Sequence, residues 1–350
     1  MIELIDNKID KEVKVELIEI LKRLSSLDGP SGYEREVIKY IKEEVEKIPN
    51  TKSQIDRLGN LIVRKEGTGK KIALFAHSDE IGFVLTKKEY GNYWRFSTFG
   101  GIDPKAVISQ RFRIHTKDGG IAIGVVGMLE PHLQTEETKA KVPSFDYLFL
   151  DIVEGGEKVS IGDIGVFSSE PFLLSEKYFT GKALDNRASC LTLLYILELL
   201  STFIHTTDIY FVFSIREEDG SSGAKTVAYN LKPDLAIVLD VTHGDVEIPS
   251  YPKIETGKGP TLDIGPVINY EYLEKLRKLA EKISVSYQIE PTGGVSYTDT
   301  DAIQITRGGI PTLLVSLPLR YMHTPYEVVN IKDIEETGRL LSSFVTRGGE

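Results

Sequence analysis

Apolar positions along this chain fall into three textures, and their order predicts an architecture. Across residues 11–27, Val13, Leu17, Ile18, Leu21 and Leu24 recur at helical spacing, and Val37, Ile38, Ile41, Val45 and Ile48 form a second such face. Two amphipathic helices therefore open the protein. Between them, Ser31 and Glu34 have the spacing of a capping box that would satisfy free amides at the start of the second helix. Residues 53–57 and 61–64 then flank Leu58-Gly59-Asn60 and predict a hairpin whose turn needs positive φ.

The second texture is the short unbroken apolar run. Residues 72–76, 209–215, 235–239 and 311–317 are rich in Ile, Val, Leu and Phe and end in polar clusters. Runs of this length read as strands buried on both faces, as in a parallel sheet. Helical patterns at 188–200, 224–230, 272–283 and 331–345 alternate with them, and 286–289 adds another short strand. Gly67-Thr68-Gly69-Lys70 precedes a strand rather than a helix, so it reads as a turn and not a phosphate loop.

From residue 83 to about 172 the third texture takes over: alternating segments at 93–99, 110–115 and 121–128, Gly-rich and charged turns, and no long helical face. A loop or helical excursion at 130–143 and strands near 147–151 and 165–167 complete it. The expected fold class is α/β, with a mixed, mainly parallel sheet sandwiched by helices. Residues 1–82 and 173–350 make that domain, and 83–172 form an inserted β-rich domain, a small barrel or sandwich. A chain of 350 residues exceeds one ordinary core, which agrees with an insertion.

Composition narrows the partners. A formal net charge of −10 argues against a polyanion such as nucleic acid and leaves amine-bearing ligands open. No apolar run approaches the ~20 residues that cross a bilayer, and residues 1–14 mix acidic and basic groups unlike a secretory leader. The sole cysteine, Cys190, permits no intrachain disulfide, and its neighbours Ala188, Leu191, Leu193 and Leu194 place it in a core helix rather than at a reactive site. A cytoplasmic protein without a membrane partner is expected.

The chemistry gathers where the apolar runs stop. His77 and Asp79 follow 72–76, Glu217 and Glu218 follow 209–215, Asp240 follows 235–239, His323 follows the last run, and Asp185 stands at a helix entry. Taken singly, each has an ordinary role: a solvated Glu-Glu turn, an aspartate helix cap, a structural histidine. In an open α/β sheet, however, the carboxyl ends of the strands converge where ligands bind. Imidazole and carboxylate without thiolate suit Zn²⁺, Co²⁺ or Mn²⁺. Two histidines with several carboxylates exceed one tetrahedral site and fit two metals sharing a bridging carboxylate. Such a pair polarises an acyl oxygen and makes hydroxide available near neutral pH from a shared water, whose proton a carboxylate must take. Glu217 and Glu218 are suited to divide metal binding and general-base duty, in an order that spacing leaves open. Asp79 is suited to accept the His77 imidazole N–H and fix the ring. His115, His132, His205 and His243 lack such partners and read as surface or structural, with His132 and His243 nearest the cleft.

Several longer motifs sharpen the picture. They are Ala76-His77-Ser78-Asp79-Glu80-Ile81-Gly82, Gly181-Lys182-Ala183-Leu184-Asp185-Asn186-Arg187, Glu217-Glu218 with Gly223-Ala224, Leu239-Asp240-Val241-Thr242, Gly257-Lys258-Gly259-Pro260 and Arg320-Tyr321-Met322-His323-Thr324-Pro325. With these in this order, the chain resembles the TET aminopeptidases, self-compartmentalising dinuclear-metal exopeptidases of archaea and bacteria also labelled glutamyl, deblocking or endoglucanase-like. The resemblance implies that Asp185 bridges two divalent ions, Zn or Co with Mn also accepted, that His77 and Asp240 complete one site, and that Glu218 and His323 complete the other. It implies Glu217 as general base, beside Asp79. It further implies a zinc-exopeptidase-like catalytic domain, a PDZ-like dimerisation insertion, and dimers that assemble into a tetrahedral dodecamer. The sequence departs from the family pattern at Asp219-Gly220-Ser221-Ser222 and at Tyr297-Thr298-Asp299-Thr300-Asp301-Ala302, which bear on subsites.

The expected activity is removal of N-terminal residues from short peptides by a bridging hydroxide. Rivals are a carboxypeptidase or N-acyl amino-acid deacylase of the same fold, a glycosidase using Glu217 and Glu218 as its acid and base, and a non-catalytic assembly protein. A glycosidase has no use for His77, Asp185, Asp240 and His323, and the single Trp94 offers little for stacking sugars.

Overall fold

The computed structural model describes residues 15–129, 131–137 and 142–350. Its strands are β1 (Lys52–Ile55), β2 (Leu61–Lys65), β3 (Lys71–His77), β4 (Gly82–Lys88), β5 (Tyr93–Phe99), β6 (Arg111–His115), β7 (Ile121–Val126), β8 (Leu150–Glu154) and β9 (Ile164–Phe167). After these come β10 (Phe172–Leu173), β11 (Tyr178–Gly181), β12 (Asp208–Ser214), β13 (Leu235–His243), β14 (Thr261–Ile264), β15 (Gln288–Pro291), β16 (Thr312–Arg320) and β17 (Glu327–Asn330).

The four apolar runs become neighbours. The main sheet has the order β1-β2-β12-β3-β13-β16-β17-β11-β10, with β14 and β15 branching from β16. Its centre, β12-β3-β13-β16, is parallel, and those strands are buried on both faces. The flanks are antiparallel, so the sheet is mixed as expected, with its parallel part confined to the centre and the β14–β15 pair. Short connections explain this: β1 to β2, β10 to β11 and β16 to β17 are joined by a few residues each, and a parallel crossover needs a dozen or more. In the first hairpin, Asp56 accepts the backbone N–H groups of Leu58, Gly59 and Asn60, and Gly59 takes φ of 117°.

Residues 15–26 are helical and bury Leu17, Leu21 and Leu24, while the predicted start at 11–14, including Val13, lies outside the described residues. The next helix, Arg35–Val45, buries Val37, Ile38, Ile41 and Val45 as its period predicts. Its capping box does not form. Ser31 donates its hydroxyl to Asp79 instead (2.6 Å), and Glu34 accepts from Gly32 and Arg216. The long helix after β11 starts earlier than expected, Leu184–Leu199, with Asp185 and Asn186 in non-helical conformations at its entry. It packs on β3 and β13 and against the closing helix Ile331–Thr346. Cys190 is buried within it, and burial pushes its thiol up to about 12, which leaves it unreactive.

The insertion is a closed antiparallel barrel, β4-β5-β8-β7-β6-β9. Phe83, Phe96, Phe112 and Phe167 meet in its core at ring separations of 4.8 to 5.1 Å. Gly165 sits opposite Phe83 in the β4–β9 pairing, where a Cβ would come within 2.0 Å of the ring. The expected strand near 147–151 is present but begins later, as β8 at Leu150, after a single turn at Phe145–Tyr147. Asp28, just after the first helix, pairs with Arg113 and His115 of β6 and so ties the barrel to the main domain. His115 thus has an acidic partner that its sequence context did not reveal.

Candidate metal centre

Parallel register brings the polar strand ends to one level. Ser214 of β12 pairs with His77 of β3, and two residues beyond the paired Phe75 and Val238 come His77 and Asp240. His77 Nε2 lies 3.2 Å from Asp185 Oδ1 and 3.8 Å from Asp240 Oδ1. His323 Nε2 lies 3.2 Å from Asp185 Oδ2 and 3.2 Å from Glu218 Oε1. Asp185 therefore presents one oxygen to each imidazole. The potential ligand atoms of His77, Asp185 and Asp240 fall within 4.8 Å of one another, and so do those of Asp185, Glu218 and His323.

Glu217 belongs to neither trio. Its Oε2 lies 4.0 Å from His77 Nε2, and Glu217 lines the cavity into which both trios face. Glu217 and Glu218 do not continue the strand; they lie in a turn that begins after β12 has ended at Ser214. Asp79 fixes that turn. Its fully buried carboxylate accepts the backbone N–H groups of Glu217 (3.0 Å) and Glu218 (3.1 Å) and lies 3.4 Å from His77 Nδ1. On the other imidazole, His323 Nδ1 is 2.7 Å from the carbonyl oxygen of Gly101, which directs Nε2 toward Asp185 and Glu218.

The donor set fits divalent cations. Four carboxylates and two imidazoles are gathered in a largely buried space. Burial, reinforced by the Asp240, Asp299 and Glu218 carboxylates and opposed by His77, pushes Glu217 up to about 10. Burial also holds Asp240 well above its ordinary range, with Asp185 adding to the effect. Burial opposes charge on His323, yet hydrogen bonding with Asp185 and Glu218 raises it to about 12. Such crowding of negative charge is the environment that a bound dication relieves, because it favours ionised carboxylates and neutral imidazoles.

Of the further residues in this region, Asp299 belongs to the stretch 297–302 that the sequence marks as bearing on subsites, whereas Glu327, Asp263 and Glu290 carry no such mark. Buried Glu327 accepts the backbone N–H groups of Asp185 (2.9 Å) and His323 (2.7 Å), holding both candidate ligands from behind. Buried Asp299 accepts the hydroxyl of Ser214 (2.7 Å). The cavity that holds the centre, about 400 Å³, extends to Asp263, Glu290, Tyr251 and Met322. His243 lines it as expected, whereas His132 is exposed in the turn Pro131–Leu133 and does not. The only cue to Asp263 is the brief alternation Thr261-Leu262-Asp263-Ile264, too short to separate from a loop.

Known proteins resemble the chain throughout. The family model for M42 glutamyl aminopeptidase matches residues 59–340. A lysyl aminopeptidase of Pyrococcus furiosus is 32% identical over 336 residues, 93% of this chain and 96% of that one. Aminopeptidase APDkam598 from the archaeon Desulfurococcus kamchatkensis superimposes with a TM-score of 0.86 at 32% identity, covering 95% of each chain. The TET1 peptidase of Pyrococcus horikoshii, which can assemble into a tetrahedron or a large octahedral shell, gives 0.83 at 30% identity over 94% of this chain and 99% of that one.

Proposed function

The chain belongs to the M42 glutamyl aminopeptidase family and is a metallo-aminopeptidase, a hydrolase of peptide bonds; from that premise we propose that it removes N-terminal residues from short peptides at a dinuclear centre bridged by Asp185. The observation that carries this reading is the pair of 3.2 Å approaches from the two Asp185 oxygens to His77 and His323. His77, Asp185 and Asp240 would hold one ion and Asp185, Glu218 and His323 the other. Zn²⁺ or Co²⁺ suits these donors, and Mn²⁺ is accepted by them too. When bound, the two ions polarise the scissile carbonyl and make water nucleophilic at neutral pH.

The protein's own groups supply the rest. Glu217, in the cavity and outside both trios, takes the proton from the attacking water and passes it to the leaving amine. Asp79 is buried away from substrate and acts as a positioning residue, holding His77 and the Glu217-Glu218 turn. Excess carboxylate around the centre favours the free ammonium of a peptide N-terminus.

For assembly, we propose that the barrel forms dimers and that dimers build a tetrahedral dodecamer. Support comes from the shell-forming P. horikoshii relative and from the exposed Ile121 and Val125 of β7 and Val153 of β8. No helix among the described residues is long and apolar enough to cross a membrane. With its lone buried thiol, the protein fits the reducing cytoplasm.

Replacing Glu217 by Gln tests the mechanism. Turnover should fall by roughly 10²- to 10⁴-fold while two ions per chain remain bound. Near-normal turnover, or loss of a metal, would remove Glu217 from the role of base.

A further inference from the structure

Asp263 and Glu290 are register partners on the parallel strands β14 and β15, so their side chains leave the same face of the sheet side by side. Both are buried, at 2% and 7% exposure, and both line the cavity that contains the six carboxyl and imidazole groups of the catalytic centre. Their hydrogen bonds come from neutral hydroxyls alone. Glu290 accepts from Thr242 (2.5 Å), Tyr251 (2.9 Å) and Thr261 (2.9 Å). Asp263 accepts from Thr292 (2.5 Å) and, more distantly, from Ser316 (3.5 Å).

Two other buried acids meet cations: Glu80 meets Lys182 at 2.6 Å and Asp208 meets Arg64 at 2.8 Å. Others, such as Glu327 and Asp333, have no cation among the described residues but accept backbone N–H groups, which the Asp263 and Glu290 carboxyls do not. Among the described residues, neither Asp263 nor Glu290 has an ion-pair partner. Two adjacent carboxyls without a cation are costly to bury unless something positive arrives. Burial, with Glu290 beside it, pushes Asp263 up to about 8, as the absence of a countercharge requires.

The cavity supplies a place for that charge. Val241, Leu314 and Met322 line it as well, giving apolar wall for a methylene stem. In the aminopeptidase reading, on which this inference rests, the scissile carbonyl sits at the dinuclear centre and the N-terminal side chain enters the adjoining space. We propose that Asp263 and Glu290 make this space a specificity pocket for a basic N-terminal residue, lysine or arginine, whose cation the two carboxylates bind. A neutral side chain of equal length would leave the pair uncompensated, and an acidic one would bring a third like charge.

A structural reading of the same pair, as a fastener joining β14 and β15 to β13, makes a different prediction. Gln at 290 or Asn at 263 keeps hydrogen-bonding capacity toward the hydroxyls, so a mere fastener would survive the change with its selectivity intact.

The test is kcat/KM of the metal-loaded protein on lysyl, arginyl, norleucyl and glutamyl p-nitroanilides, norleucine matching the lysine stem without its charge. Lysine or arginine should exceed norleucine by on the order of 10- to 100-fold, the range of one charge-assisted contact, with glutamate lowest. Asp263→Asn and Glu290→Gln should each cut the lysine-to-norleucine ratio by about tenfold, chiefly through KM. If a variant loses its melting transition, the wild-type panel still decides, together with inhibition by lysinamide, which should exceed that by norleucinamide. Preference for norleucine or glutamate, or an unchanged ratio in folded variants, overturns the proposal and leaves the aminopeptidase reading standing. Hydrolysis of none of the four substrates sinks both.

Discussion

The backbone N–H of Glu217 donates to Asp79 Oδ1 at 3.0 Å, and the same oxygen lies 3.4 Å from Nδ1 of His77. One buried carboxylate thus sets the distance between the proposed base and a proposed metal ligand. Replacing Asp79 by Asn removes the charge while keeping the shape. It should lower metal affinity or kcat by roughly 10- to 100-fold, the usual penalty for losing a partner behind a ligating histidine. Metal titration and steady-state kinetics on the folded variant check this; unchanged values would make Asp79 a packing residue.

Sharing of Asp185 between the two trios gives a stoichiometric signature. Asp185→Ala should lose both ions together, whereas His323→Ala should lose one and retain the ion held by His77 and Asp240. Elemental analysis after dialysis against a weak chelator reads the difference. Loss of a single ion from the Asp185 variant would contradict the bridge.

The tie between barrel and main domain predicts how stability follows pH. Burial works against ionised Asp28, but hydrogen bonds with His115 and Arg113 and the nearby Lys182 charge overcome it and hold the carboxyl well below its usual range. A carboxyl whose folded pKa is depressed adds stability that is present above its unfolded pKa and fades as pH falls toward the folded value. Asp28→Asn should therefore cost roughly 1–2 kcal/mol at neutral pH, since it takes the carboxylate from the partly buried Arg113 and His115 while Lys182 keeps Glu80, and the gap to wild type should close as pH drops below about 4. Denaturant unfolding across that window is the measurement, and a gap that widens on acidification would refute the assignment.

Selectivity should also depend on pH. Asp263, raised to about 8 beside Glu290, gains its charge as pH rises through that value, so binding of a cationic side chain strengthens there. The ratio of kcat/KM for lysyl over norleucyl substrates should climb between about pH 7 and 9, because kcat/KM reports groups of the free enzyme and the shared α-amino group cancels in the ratio. A flat ratio would detach Asp263 from substrate charge.

Much of the centre is readable because most of its candidate ligands follow long apolar runs. His77 closes β3, Asp240 lies within β13 directly after its apolar stretch, and the Glu217-Glu218 pair comes just beyond β12, positions that the apolar runs mark plainly. Parallel pairing then converts sequence position into spatial convergence. What stayed hidden depends on short or irregular backbone. Asp263 lies on a four-residue strand, Glu327 opens another, and both are placed by tertiary pairing rather than local pattern. The capping box at Ser31 fails for a geometric reason: the helix begins only at Arg35, so Ser31 lies three residues before the N-cap Glu34, out of reach of the helix amides, and its hydroxyl donates to Asp79. Nor could spacing reveal that the carbonyl of Gly101, next to a barrel strand, would orient His323 across 222 positions of sequence.

The central claim is that a shared-carboxylate metal centre removes residues one at a time from a free N-terminus. Its most direct test is mass-spectrometric analysis of products from one peptide set with free and acetylated N-termini, using chelator-stripped protein with and without added Co²⁺ or Zn²⁺. The account predicts metal-dependent loss of single N-terminal residues from the free peptides alone. Cleavage of acetylated peptides, release from the carboxyl end, or activity indifferent to metal would contradict it.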